Sequence, residues 1–94
     1  MIYQIRERTN RRPEAEFPYA VDVPVPPKGL GGAEVRAIMG AMTRCRGRTE
    51  RWSHSQVRVF GMRKAFFVRV GTSTEADANN VTITLSDLGA HRAR

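Results

Sequence analysis

The stretch of this sequence that most resembles a nucleophilic catalytic site is Ser53-His54-Ser55. A nucleophilic hydroxyl needs a base within hydrogen-bond reach and a third group that orients the base. Here the hydroxyls flank the histidine in sequence, and neighbouring residues on a strand point to opposite faces of a sheet. The other histidine, His91, has no persuasive partner either. We therefore predict that the protein is not an enzyme.

Metal binding and acid–base catalysis also lack the residue spacing that they require. A metal site needs three or four converging ligands, and Cys45, His54 and His91 follow no familiar ligand pattern. Glu75 and Asp77 are close in sequence, but acidic residues are common where a helix begins. The sequence thus predicts no metal site and no cofactor, and its lone cysteine favours a reducing compartment.

A glycine-rich stretch, residues 29–32, precedes a predicted helix and could offer backbone N–H groups to a phosphate. It lacks the Lys-Ser/Thr pair of a Walker loop and the full spacing of a dinucleotide-binding fingerprint. An ordinary loop is the better interpretation.

Positive charge is the feature that says most about a partner. The 94 residues include 16 Lys and Arg against 9 Asp and Glu, a net charge of +7. Residues 44–69, called the basic segment below, hold eight cationic residues against Glu50 and so equal the whole net charge. Such charge favours nucleic acid or an acidic protein surface. An arginine-rich coding bias would raise the same count, so placement on one face decides between the two explanations.

At the end of the basic segment, residues 63–70 (Arg-Lys-Ala-Phe-Phe-Val-Arg-Val) resemble the strand motif of RNA-recognition domains and extend one residue beyond it. Those domains stack bases on strand aromatics that lie beside basic residues. The resemblance puts Phe67 at one stacking position and Ala65 at the other. The companion motif of the first strand is missing, because Phe17 and Tyr19 share the apolar positions of their strand.

Hydrophobic spacing predicts the elements that would position these residues. Apolar residues alternate with others over residues 17–25, which indicates a strand, and Pro18 and Pro24 either place it at a sheet edge or limit its length. A helix follows, with cationic residues in its last turn and Gly47 suited to a left-handed cap. Its apolar face is predicted to hold Val35, Ile38, Met42 and Cys45.

The second half of the chain predicts a hairpin and an ambiguous last element. Alternation on both sides of residues 61–64 indicates a β-hairpin with its turn there. Residues 72–77 then offer two overlapping capping boxes. Residues 79–88 fit both a helix and a strand, and the caps favour the helix.

These elements predict an α+β fold, a small antiparallel sheet with two helices on one face in the order β-α-β-β-α, as a ferredoxin-like sandwich. Residues 1–14 are predicted to be a basic arm, residues 15–90 a single domain and residues 91–94 a frayed basic tail. Charge appears early and no long apolar run occurs, so we expect a soluble, cytoplasmic or intraviral protein that does not enter a membrane.

The function that follows is non-catalytic binding to RNA or DNA phosphates through the basic helix end and the hairpin. The alternative is a protein-interaction module, an assembly subunit or a phage-type inhibitor, that docks on an acidic or nucleic-acid-binding protein. An exposed strand edge would also allow a homodimer. The predicted contact residues are Arg44, Arg46, Arg48, Arg51, Arg58, Arg63, Lys64, Phe67 and Arg69.

Overall fold

The computed structural model describes residues 16–57 and 64–94, with side chains described for residues 16–53 and 67–94. The predicted basic arm, residues 1–14, lies outside the described residues. The elements are β1 (Tyr19–Val25), α1 (Gly32–Thr43), β2 (Thr49–Val57), β3 (Lys64–Thr72), α2 (Glu75–Thr84), a 3-10 turn (Ser86–Leu88) and β4 (His91–Arg92).

The four described strands form one sheet in the order β2-β3-β1-β4, with every neighbouring pair antiparallel. Strands β1 and β2 are therefore parallel to each other, with β3 between them. This order, with a helix after β1 and another after β3, is that of a ferredoxin-like sandwich. The predicted α+β class, with two helices on one face of an antiparallel sheet, is confirmed.

The core lies between the two helices and one face of the sheet. Val21 and Val23 of β1 and Val70 of β3 share that face, because residues two apart on a strand point the same way. Helix side chains at helical spacing pack against them. The buried cluster comprises Val21, Val23, Ile38, Ala41, Val70, Ala78, Val81 and Leu85.

Helix α1 ends earlier than its apolar spacing predicted. The N–H of Arg44 still donates to Gly40 O at 3.2 Å, but the N–H of Cys45 turns to Met42 O at 3.0 Å, which ends the α-helical series. The last turn of α1 thus contains no basic residue, contrary to the prediction. Met42 and Cys45 are partly buried against the core rather than inside it.

The ambiguous segment is helical, as the caps favoured. Thr74 is the N-cap of α2 and accepts a hydrogen bond from Asp77 N at 3.2 Å. Val81 and Leu85 are buried while Ile83 between them is 71% exposed, so the burial follows the helical period and not the alternation of a strand. Gly89, with φ of 83°, closes the 3-10 turn that follows.

The last residues, predicted to be a frayed tail, instead form the fourth strand. His91 is opposite Asp22 and Arg92 is opposite Val21 on β1. Ala20 N–H donates to Arg94 O, and Ala20 O accepts from Ala93 N–H, so backbone pairing continues beyond β4.

Strand β1 is not an edge strand, since it lies between β3 and β4. Ala20 and Pro24 have the same parity on β1, so the proline nitrogen faces the β4 side. Strand β4 pairs only with Val21 and Asp22, so the missing N–H of Pro24 removes no hydrogen bond from the sheet.

The predicted hairpin is formed by β2 and β3, which pair from Thr49 opposite Thr72 to Val57 opposite Lys64. Lys64 therefore belongs to a strand rather than to the turn that was predicted at residues 61–64. The other three turn residues lie outside the described part of the chain.

Candidate functional site

The predicted contact residues of the hairpin are distributed over both faces of the sheet. Trp52 is opposite Arg69, and Arg69 is opposite Asp22, so these three positions share the face away from α1 and α2. Arg51 has the opposite parity, and its guanidinium Nη1 donates to the sulfur of Met39 on α1. Arg51 and Arg69 thus do not contribute to one surface.

Arg69 is held in an internal ion pair. Its Nε donates to Asp22 Oδ1 at 2.7 Å and its Nη2 donates to Asp22 Oδ2 at 3.0 Å, the two-pronged geometry that arginine and carboxylate favour. Only 19% of the Arg69 side chain and 10% of the Asp22 side chain are exposed. The guanidinium carbon also lies 5.3 Å from the centre of the Phe67 ring. The Arg69 guanidinium therefore belongs to a cross-strand cluster with Asp22 and Phe67.

The aromatic side chains on this face of the sheet are mostly packed against other parts of the protein and expose little surface. Trp52 and Phe17 are buried, at 2% and 5% exposure, and Phe67 is half-buried. Phe17 and the Trp52 ring both lie against Gly71, where a Cβ atom would come within 2.7 Å of Phe17 Cβ. The predicted base-stacking residue Phe67 therefore has the Arg69 guanidinium on its ring and a buried tryptophan beside it on the sheet.

Three of the predicted contact residues do come together, in the connection between α1 and β2. We call residues 44–48, with the exposed side chains of Arg44, Arg46 and Arg48, the basic turn. Within the described part of the chain, no carboxylate forms an ion pair with any of these three guanidinium groups. Arg48 also lies over the Phe17 ring, at 5.9 Å from its centre. Arg58 and Arg63 lie outside the described residues, and only the backbone of Lys64 is described.

The start of α2 fixes the backbone of the basic turn. Asp77, 4% exposed, accepts hydrogen bonds from Arg46 N at 3.1 Å and Gly47 N at 2.8 Å. Ser73 Oγ accepts one from Arg48 N at 2.9 Å, and Ser73 N donates to Arg48 O at 3.0 Å. The Gly47 amide, helped by the Arg46 amide and the Thr74 hydroxyl, holds the pKa of Asp77 below its ordinary value, although burial acts the other way.

Gly47 is needed for a different reason from the one predicted. Among the described residues, positive φ occurs at Gly29 and Gly89 and not at Gly47, so the predicted left-handed cap is wrong. A Cβ atom on Gly47 would overlap Ser73 Oγ and would lie 3.1 Å from Asp77 Oδ2. The glycine therefore allows the backbone to approach the start of α2, which is a packing requirement.

Cys45 borders a small depression of about 190 Å³ between the end of α1 and α2. Its thiol lies 3.4 Å from Ala41 O. Burial, with a smaller contribution from the charge of Asp77, raises the pKa of this thiol. A raised pKa disfavours the reactive thiolate, so the environment gives Cys45 the character of a packing residue.

Ser73 and Asp77 were not predicted as site residues, and the sequence predicted Asp77 only as a helix cap. The contacts with the basic turn join residues about thirty positions apart, and no local motif signals such a contact. Asp22 was likewise not predicted as a site residue, because it only occupies one of the positions between the apolar residues of 17–25.

In comparisons with known proteins, no family model, curated protein or solved structure matches the chain. Within the described residues, no helix is both long enough and apolar enough to cross a membrane.

Proposed function

We propose that this protein is a non-catalytic nucleic-acid-binding protein that contacts RNA or DNA phosphates through the basic turn. The observation that carries the proposal is that Arg44, Arg46 and Arg48 are exposed, lie on one fixed turn and have no ion-pair partner among the described residues.

The chemistry of arginine supports this assignment. A guanidinium group presents a planar fork of donors that matches a phosphate, and it stays charged at every physiological pH. Three such groups on five consecutive residues concentrate positive potential at one place on the surface. Arg69 has a smaller role in this proposal than its sequence position suggested, because Asp22 already occupies its fork.

Salt dependence of binding tests the proposal. We would measure the affinity for labelled 20-nucleotide RNA and 20-base-pair DNA by fluorescence anisotropy at several salt concentrations. The slope of log affinity against log salt should approach about −0.9 per duplex phosphate contacted. The double variant Arg44→Gln/Arg46→Gln should bind more weakly and reduce this slope by roughly 2 if each side chain contacts one phosphate.

The matched control is Lys28→Gln/Arg36→Gln, which removes the same charge from two exposed residues outside the turn. It should keep the wild-type slope. A flat salt profile, absence of binding at low salt, or an equal decrease in the control would overturn the proposal.

A second candidate, a protein-interaction module, is supported by one observation. Ile83 of α2 is 71% exposed and lies at the edge of the depression beside Arg44. An apolar side chain beside a cation suits an acidic protein surface that also buries apolar area. Purification at moderate salt separates the two candidates, because an absorbance ratio detects bound nucleic acid and mass spectrometry identifies a bound acidic protein.

The homodimer predicted through a strand edge stays a prediction. Strand β2 is the outermost strand on one side of the described sheet, and it is nine residues long. Light scattering during size-exclusion chromatography would show whether two copies associate.

A further inference from the structure

Three successive backbone amides of the basic turn donate to the start of α2. Arg46 N and Gly47 N donate to the two oxygens of Asp77, and Arg48 N donates to Ser73 Oγ. The acceptors belong to the same segment, the N-terminal end of one helix. Consecutive amides held in this way leave the backbone of the turn little freedom.

The Asp77 carboxylate is well suited to hold a turn in one conformation. It is buried, and both of its oxygens accept from backbone N–H groups, so a displaced turn would leave a buried charge without these partners. The absence of a side chain at Gly47 brings the turn close enough to be held.

We propose that Asp77 and Ser73 are positioning residues of the basic turn, fixing the backbone from which Arg44, Arg46 and Arg48 reach adjacent phosphates. This inference rests on the proposed function and deepens it. A turn fixed before binding loses less conformational freedom when the phosphates bind, so the fixed geometry increases affinity without a contact of its own.

Electrostatic repulsion and positioning of the turn predict opposite effects on ligand affinity when the charge of Asp77 is removed. The carboxylate is negative and lies beside Arg46, so removing its charge should strengthen binding to an anionic ligand if electrostatics alone governs affinity. Removing it should weaken binding if its hydrogen bonds position the turn. The sign of the change therefore separates the two effects.

The experiment compares Asp77→Asn with wild type in binding a fluorescein-labelled 20-base-pair DNA duplex across a salt series. An asparagine can accept from one of the two amides, but its NH₂ group cannot accept from the other. We expect binding about tenfold weaker, which corresponds to the removal of one charge-assisted hydrogen bond. The salt slope should fall by about 0.9 for each phosphate that the variant no longer reaches.

Glu75→Gln is the matched control, because it removes a carboxylate from the first turn of the same helix. The Glu75 side chain is 65% exposed, and its described ion pair is with Arg92 at 3.9 Å, not with the turn. This control should bind as tightly as wild type or more tightly. A merely destabilised Asp77→Asn protein would show fewer active molecules and an unchanged salt slope, so the slope distinguishes positioning from loss of fold.

Ser73→Ala provides a second variant that changes no charge and keeps the test valid if Asp77→Asn does not fold. It removes the acceptor of Arg48 N, and we expect binding roughly threefold weaker, with a changed amide resonance for Arg48 in NMR spectra. Wild-type affinity in both variants, or tighter binding in Asp77→Asn, would overturn the inference while the proposed function stands. Failure of the wild-type protein to bind RNA or DNA would overturn the proposed function, and this inference with it.

Discussion

Asp22 and Arg69 bring two opposite charges together on the face of the sheet away from α1 and α2. Their positions are directly opposite on β1 and β3, so the strand register alone brings the carboxylate to the guanidinium. Two hydrogen bonds then satisfy both carboxylate oxygens. Because both side chains are largely shielded from water, loss of either one leaves the other charge poorly solvated.

We predict that Arg69→Gln and Asp22→Asn each lower the free energy of unfolding by about 3 kcal/mol, the usual cost of breaking a shielded pair. The double variant should cost clearly less than the sum, because it leaves no unpaired charge. Urea unfolding of all four proteins gives this double-mutant cycle. Additive effects would show that the pair does not couple.

Asp77 should make stability sensitive to acid. Its pKa is lowered in the folded protein, mainly by the Gly47 amide, whereas an aspartate in the unfolded chain has a pKa of about 3.9. The carboxylate therefore contributes its full stability above that pH, and the contribution is lost as the pH falls through the folded pKa.

Asp77→Asn should accordingly lower the free energy of unfolding by about 2 kcal/mol at neutral pH, the scale of hydrogen bonds to a charged group. The difference from wild type should stay constant above about pH 5 and shrink towards pH 2. Urea unfolding over a pH series measures this. Asp87→Asn, which removes an exposed carboxylate, is the control, and a difference independent of pH would contradict the prediction.

At the scale of elements, β3 and the chain before β1 pack closely because Gly71 has no side chain. A Cβ atom there would lie 2.7 Å from Phe17 Cβ and 3.0 Å from two Trp52 ring atoms. Phe17 Cβ is next to the backbone, so the contact cannot be relieved by a simple side-chain rotation.

Gly71→Ala should therefore lower the free energy of unfolding by about 1 to 3 kcal/mol, the usual cost of overpacking. Gly40→Ala in α1 is the matched control, because nothing lies within 4 Å of the added methyl. It should raise stability by up to about 1 kcal/mol through helix propensity. Thermal denaturation of both variants checks the two signs, and equal effects would contradict this account of Gly71.

At the scale of the whole molecule, the buried side chains on the two faces of the sheet belong to the same strands, so the two faces should unfold together. Trp52, the single tryptophan, is buried on one face, and the helices pack on the other. We expect one cooperative transition in urea, with tryptophan fluorescence and far-UV circular dichroism giving the same midpoint. The free energy of unfolding should be about 5 to 10 kcal/mol. Separate midpoints would show that the two faces unfold independently.

Much of the fold was predictable because the spacing of apolar residues within each segment indicates whether that segment is a strand or a helix. Alternation identified β1, β2 and β3, and helical spacing together with the Thr74 cap identified α1 and α2. The short strand β4 was not predictable, because two residues show no period and their pairing depends on the edge of β1. The early end of α1 was also missed, because a backbone hydrogen bond decides it and not a side-chain pattern.

The sequence by itself determined that this protein is an α+β domain with its net positive charge in residues 44–69. Only the tertiary structure decided which of the charges in its described part are exposed. It pairs Arg69 with Asp22, sends Arg51 to the other face of the sheet and leaves Arg44, Arg46 and Arg48 exposed on a turn that Asp77 holds. The physical reason is that strand register and long-range hydrogen bonds join residues far apart in the chain, whereas charge counts and periodicity describe only neighbours.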